Sequence, residues 1–141
     1  MSGDKNHQPL IIAHRGSSAL APENTFAAFK LAIKDGADGI EFDVRLARDR
    51  VPMVIHDATL QRTAGFSGRV SGYASHELSK IDVGTWFNKK HPSKARKEYS
   101  AETVPSLSGL LELMRGNDGL IYLEMKCSKK SCDPLGKPFP I

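Results

Sequence analysis

The sequence predicts an α/β fold, a barrel or an open sheet, and three observations predict it. The chain runs strand, helix, strand, strand, long irregular segment, helix, strand, the alternation that builds α/β layers. Four apolar runs each end on acidic, basic or imidazole side chains, as strands do at the carboxyl edge of a parallel sheet. With 141 residues, 40% of them hydrophobic and 26% charged, the chain suits one soluble domain with a real core.

Residues 9–13 (PLIIA) read as a short, fully buried strand. Phe26, Phe29 and Ile33 then recur at helical spacing, predicting a helix over Thr25 to Asp35 that opens near Pro22 to Asn24 and stops at Gly36. Ala37 to Val44 and Pro52 to Ile55 are the next strands. The join between them is shorter than the dozen or more residues of a parallel crossover. It is therefore a hairpin or a helix-free return, and either can bring His56 beside Glu41 and Asp43.

Residues 57–104 are rich in glycine, serine and lysine, with scattered aromatics, and read as a functional loop or small insertion. Ser106 is a fitting N-cap for a helix over Leu107 to Arg115, whose Leu107, Leu110, Leu111 and Met114 share a face. Gly116 and the run Asn117-Asp118-Gly119 end it, and Leu120 to Met125 is the fourth strand. The tail 128–141 is too proline-rich for a helix or an interior strand.

Composition excludes several classes of function. The formal charge of +4 is mild, and the basic run from Lys89 to Lys97 lacks the aromatic interleaving of a nucleic-acid surface. It reads as a solvated loop. No apolar run reaches the roughly 20 residues of a membrane helix, and the first ten residues are polar, so a cytoplasmic protein without a membrane span is expected. Cys127 and Cys132 lack the further ligands of a zinc site and are expected to be reduced.

The chemistry concentrates at the strand ends. Glu41 and Asp43 stand two apart, so both carboxylates leave the same face of a strand. Carboxylates held that close repel, which favours a divalent cation between them, and hard oxygen donors suit Mg²⁺ or Ca²⁺. Taken alone, the pair also fits a solvent-facing alternation on an edge strand. Glu124 and Lys126 repeat the geometry on another strand, which favours a shared site. His14 and His56 each close an aliphatic run, and two imidazoles at one cleft can serve as acid and base. Arg15 and Lys126 supply positive charge for an anionic substrate such as a phosphodiester. His7, His76 and His91 sit in polar surroundings and receive no role.

In order along the chain stand HRG (14–16), PENT (22–25), EFDV (41–44), HD (56–57), TLQRT (59–63), GTWF (84–87), VPSL (104–107) and LEMK (123–126). Together they resemble the glycerophosphodiester phosphodiesterase family, from about residue 10 to 126. The resemblance implies a (β/α)8 TIM barrel of the phospholipase-C-like phosphodiesterases and hydrolysis of glycerophosphodiesters to glycerol 3-phosphate and an alcohol. It gives Glu41, Asp43 and Glu124 as metal ligands, His14 and His56 as the acid–base pair, and Arg15 and Lys126 as phosphate-binding cations. It further implies that the substrate's own neighbouring hydroxyl attacks phosphorus, giving a cyclic intermediate that water opens. Glu23 and Asn24 are read chiefly as helix-start residues, and 57–104 as the insertion over the glycerol end.

A full barrel of this kind takes about 250 residues and eight strands. The expectation is therefore a single truncated domain over 1–141, about the first half of a barrel. Its unclosed edges invite self-association. The rival expectation is an inactive fragment that binds a cation or a partner chain.

Overall fold

A computed structural model describes residues 8–127. Its organising strand is β2 (Gly39–Leu46), where apolar and charged residues alternate in the pattern GIEFDVRL. Alternation with period two sends Ile40, Phe42 and Val44 to one face and Glu41, Asp43 and Arg45 to the other. The first face meets the helices, and the second carries the polar groups.

Three strands pair with β2. β1 (Ile12–His14) runs parallel to it with His14 opposite Glu41, and β4 (Leu120–Met125) runs parallel with Glu124 opposite Asp43. β3 (Pro52–Val54) runs antiparallel, Val54 opposite Val44. Because β4 spans both stretches of β2 used by β1 and β3, those two lie end to end along the opposite edge. The short join after β2 is thus a hairpin, tightened by the Arg50 N–H donating to the Ala47 carbonyl at 2.9 Å.

Helix α1 (Phe26–Lys34) starts where Thr25 Oγ1 accepts the Ala28 N–H, and α5 (Leu107–Leu113) where Ser106 Oγ accepts the Gly109 N–H at 3.1 Å. Phe29 and Ala32 of α1 and Leu110 of α5 pack on Ile40, Phe42, Val44 and Val54. Phe29 and Phe42 meet edge to face with ring centroids 6.0 Å apart. Full burial of each such ring is worth about 3 kcal/mol.

The segment 57–104 folds back on the hairpin through short helices α2 (Gln61–Ala64), α3 (Ser75–Leu78) and α4 (Thr85–Lys90) and three 3₁₀ turns. Leu60, Val70, Leu78, Val83 and Val104 bury against Met53 and Ile55, while Phe87 and Tyr99 close over Ala21 and Ala28. Gly84 is required there, since a Cβ would collide with the Tyr99 carbonyl oxygen. This segment is packed structure with its own core.

The expected element at 9–13 is corrected in two ways. The strand begins at Ile12, and Leu10 and Ile11 are 60% and 67% exposed rather than buried. Every residue of β4 is exposed as well, including Ile121 at 44%, Leu123 at 42% and Met125 at 62%. These are the register partners of the buried Ile40, Phe42 and Val44. Among the described residues no strand lies beyond β4, so its outer edge is open. No helix among them is long and apolar enough to cross a membrane. Cys127 is a disulfide cysteine, against the expectation of a reduced thiol; Cys132 and the irregular tail expected at 128–141 lie outside the described residues.

Candidate active site

Parallel pairing brings the carboxyl ends of β1, β2 and β4 to one edge, and the predicted site residues arrive there together. Carboxylate oxygens of Glu41, Asp43 and Glu124 lie within 4.8 Å of one another. Asp43 is the deepest of them, with no exposed surface. The Asn24 amide donates to its Oδ2 at 3.0 Å, and Arg15 Nε stands 3.1 Å from the same oxygen. Among the described residues its Oδ1 is buried without a hydrogen-bond partner and stands 3.4 Å from the Lys126 ammonium.

That donor set fits a divalent cation. Three carboxylates from two adjacent strands offer hard oxygens, and a buried carboxylate oxygen without a hydrogen bond is what an inner-sphere ligand needs. Three negative charges against Arg15 and Lys126 leave one net negative charge. A divalent cation turns this to one net positive charge, the complement of a phosphodiester.

Backbone geometry explains the sequence around Arg15. Arg15 adopts φ 58°, a region costly for a residue with a side chain, and Gly16 follows at φ 77°. The turn is pinned because the Arg15 N–H donates to the Glu41 carbonyl at 2.8 Å and its own carbonyl accepts the Asn24 N–H at 3.0 Å. A Cβ on Gly16 would stand 2.7 Å from the backbone of Ala28, so glycine alone lets α1 pack this close. Asn24 is also left-handed, at φ 55°, a conformation asparagine tolerates.

The two histidines are held differently. His14 is well exposed, its Nε2 3.7 Å from Glu41 Oε2. His56 is half-buried at the end of the hairpin, its carbonyl accepting Arg45 Nε at 2.6 Å and its Nδ1 2.7 Å from Asp57 Oδ1. The structure records no direct contact between His56 and the carboxylate cluster. It joins them through intermediates.

Those intermediates are residues to which the sequence reading gave little or no role. Arg62 donates to both oxygens of Asp57 and both oxygens of Glu23, and Glu23 Oε1 also accepts Arg15 Nη1 at 3.2 Å. His56, Asp57, Arg62, Glu23, Arg15 and Asp43 therefore form one connected chain, with charge alternating from Asp57 to Asp43. The Arg62 hydrogen bonds hold the Asp57 carboxyl well below the usual carboxylate range. Burial raises Glu23, but the hydrogen bond and charge of Arg62, with the charge of Arg15, outweigh it and the net shift is downward. Arg62 is raised in turn by both carboxylates. At the other end, the hydrogen bond to Glu124 Oε1 at 2.5 Å raises the Lys126 ammonium.

Glu23 and Asn24 are thus more than helix-start residues. Thr25 caps α1, while the two residues before it reach Arg15 and Asp43. Arg62 was legible only as part of TLQRT, since spacing from His56 carries no sign of a bridge to residue 23. A small open recess lies beside this network, lined by Glu23, His56, Arg62 and Thr63 together with Val54, Val83 and Val104.

Residues 14–136 match the Glycerophosphoryl diester phosphodiesterase family. A glycerophosphodiester phosphodiesterase of Caldanaerobacter subterraneus is 43% identical over 117 residues, covering 83% of this chain and 45% of that protein. One from Bacillus subtilis is 37% identical over 117 residues, covering 83% and 40%. Among solved structures, a glycerophosphodiester phosphodiesterase from Agrobacterium tumefaciens superposes with TM-score 0.74 at 40% identity, over 88% of this chain and 50% of that one. An Oleispira antarctica phosphodiesterase, solved with the product sn-glycerol-3-phosphate, gives TM-score 0.76 at 36% identity, over 86% and 46%. The chain spans less than half the length of these curated relatives, and its open sheet is part of the TIM barrel that the solved structures complete. With its fold, strand-end carboxylates and matched residues in agreement, the chain belongs to the glycerophosphoryl diester phosphodiesterase family.

Proposed function

We propose that this chain carries the metal- and phosphate-binding half of a glycerophosphodiester phosphodiesterase acting in lipid and glycerol metabolism. The reaction is glycerophosphodiester plus water to glycerol 3-phosphate and an alcohol. The observation that carries the reading is the group of three carboxylates within 4.8 Å, flanked by Arg15 and Lys126 on Asp43. Glu41, Asp43 and Glu124 would hold one divalent cation, Mg²⁺ or Ca²⁺, which when bound supplies Lewis-acid polarisation of a phosphoryl oxygen. Arg15 and Lys126 neutralise and orient the phosphodiester.

His14 and His56 divide the proton transfers. One takes the proton of the glycerol hydroxyl as its oxygen attacks phosphorus, and the other gives a proton to the departing alcohol oxygen. The same pair, in reversed roles, then serves the water that opens the cyclic phosphodiester to glycerol 3-phosphate. Hydrolysis of glycerophosphocholine with added Mg²⁺ or Ca²⁺ tests this directly. Loss of turnover on His14→Ala supports it, and unchanged turnover overturns it.

The exposed β4 face belongs to the same proposal. A second copy of this chain would cover Ile121, Leu123 and Met125 and the open edge beside them, because apolar surface and unpaired strand groups both favour association. Sedimentation velocity should show a dimer that Leu123→Glu dissociates. A monomer in both cases removes this part. A well-folded sample that binds the cation without any hydrolysis would favour the rival reading, a cation- or partner-binding module.

A further inference from the structure

We infer that Arg62 is a positioning residue of this site, clamping Asp57 and Glu23 so that His56 offers an unprotonated Nε2 and Arg15 stays on Asp43. The inference rests on the reading of His56 as an acid–base group. Four hydrogen bonds carry it. Arg62 Nε and Nη2 reach Asp57 at 2.8 and 2.9 Å, while Nη1 and Nη2 reach Glu23 at 2.9 and 2.7 Å. A planar guanidinium that grips two carboxylates at once fixes the plane of each, which a lysine ammonium does not do.

The consequence for His56 follows from donor counting. An ionised carboxylate only accepts, so the 2.7 Å contact between Asp57 Oδ1 and His56 Nδ1 requires the proton on Nδ1. Neutral His56 is thereby the Nδ1–H tautomer, with Nε2 bare on the opposite side of the ring. Asp57 is partly exposed. Arg62 holds both of its oxygens and so fixes which one faces the imidazole.

The other arm works on Arg15. Glu23 Oε1 accepts from Arg62 and from Arg15 Nη1, while Arg15 Nε lies 3.1 Å from Asp43. Arg62 itself is backed by Trp86 of α4, whose ring centroid is 5.7 Å from the guanidinium carbon. The Trp86 ring is fixed by donating Nε1–H to the Val83 carbonyl at 2.8 Å. Through Arg62 the segment 57–104 thus ties the acid–base group to the phosphate-binding arginine.

The test uses the full chain as wild type, Arg62→Lys and Arg62→Met, with His56→Gln to assign the ring signals. Nitrogen-detected NMR of His56 at about pH 8.5, roughly two units above the ordinary imidazole midpoint, reads the tautomer. The wild type should be chiefly Nδ1–H. In Arg62→Met the Nδ1–H to Nε2–H ratio should fall at least about tenfold, with Arg62→Lys between, and kcat on glycerophosphocholine should fall about 10–100-fold with KM little changed. An unchanged tautomer ratio in Arg62→Met overturns the inference. Should Arg62→Met fail to fold through Glu23–Asp57 repulsion, Glu23→Gln/Arg62→Met removes that repulsion and carries the same reading. Absence of wild-type turnover would sink the phosphodiesterase reading alone, since the tautomer ratio still decides the clamp.

Discussion

Strands β2 and β4 are neighbours in one sheet with matching chemistry, yet they live in opposite environments. On β2, Ile40, Phe42 and Val44 are 1%, 0% and 6% exposed; their partners one strand away, Ile121, Leu123 and Met125, are 44%, 42% and 62% exposed. The polar faces differ in the same sense. Asp43 is buried under Arg15, Asn24 and Lys126, whereas Glu124 is exposed and, among the described residues, reaches Lys126 and the shared cluster. Helices α1 and α5 cover one strand, and no described element covers the other. Pairing through the backbone sets which residues can meet. Packing on both faces decides which of them are held.

The largest expected effect lies on the covered side. If the proposed site holds, Mg²⁺ or Ca²⁺ should raise the melting temperature of the wild type and not of Asp43→Asn, and His56→Ala should lower turnover about 10²–10⁴-fold. A normal cation shift in Asp43→Asn would break the claim that the buried carboxylate is the anchor. Next comes packing. Phe42→Ala removes a fully buried ring and should destabilise by about 3–5 kcal/mol, while Leu123→Ala, one strand away, should stay within about 0.5 kcal/mol at dilutions where the second copy has dissociated. Urea unfolding of the two variants measures the contrast directly. Equal losses at that dilution would mean that β4 is covered within the single chain.

Much of this was legible in the sequence, for identifiable reasons. Local rules carry the helix caps, since Thr25 and Ser106 act on the turn that follows them. Period-two alternation carries the carboxylate face, because Glu41 and Asp43 need only an extended chain to point together. What escaped depends on contacts between distant residues. The exposure of Leu10 and Ile11 follows from what does not pack on them, which an apolar run cannot express. The choice between a hairpin and a helix-free return at β2–β3 rests on register, which the short join does not encode. Arg62 joins Glu23 across 39 positions of sequence, and only the folded segment 57–104 brings them within 2.7 Å.

The smallest effect sharpens the comparison by pH. Glu23 and Asp57 both titrate below their ordinary values in the folded state, because Arg62 favours their charged forms over the cost of burial. Their contribution to stability is therefore complete above the unfolded carboxylate range near about pH 4, and it is lost as pH falls through the lower folded values. Below about pH 4.5 the unfolded chain takes up protons first, so the folded state weakens as acid is added. Glu23→Gln deletes one of these two groups and the charged hydrogen bonds it accepts. It should lose about 1.5 kcal/mol at pH 7 but less at pH 3, where the wild type has already surrendered part of that stabilisation. Urea midpoints of both proteins at the two pH values give the test: the gap between them should narrow in acid. A gap that stays constant would mean that Glu23 is held by packing rather than by the charge of Arg62, and the covered side of the site would then owe its order to its core alone.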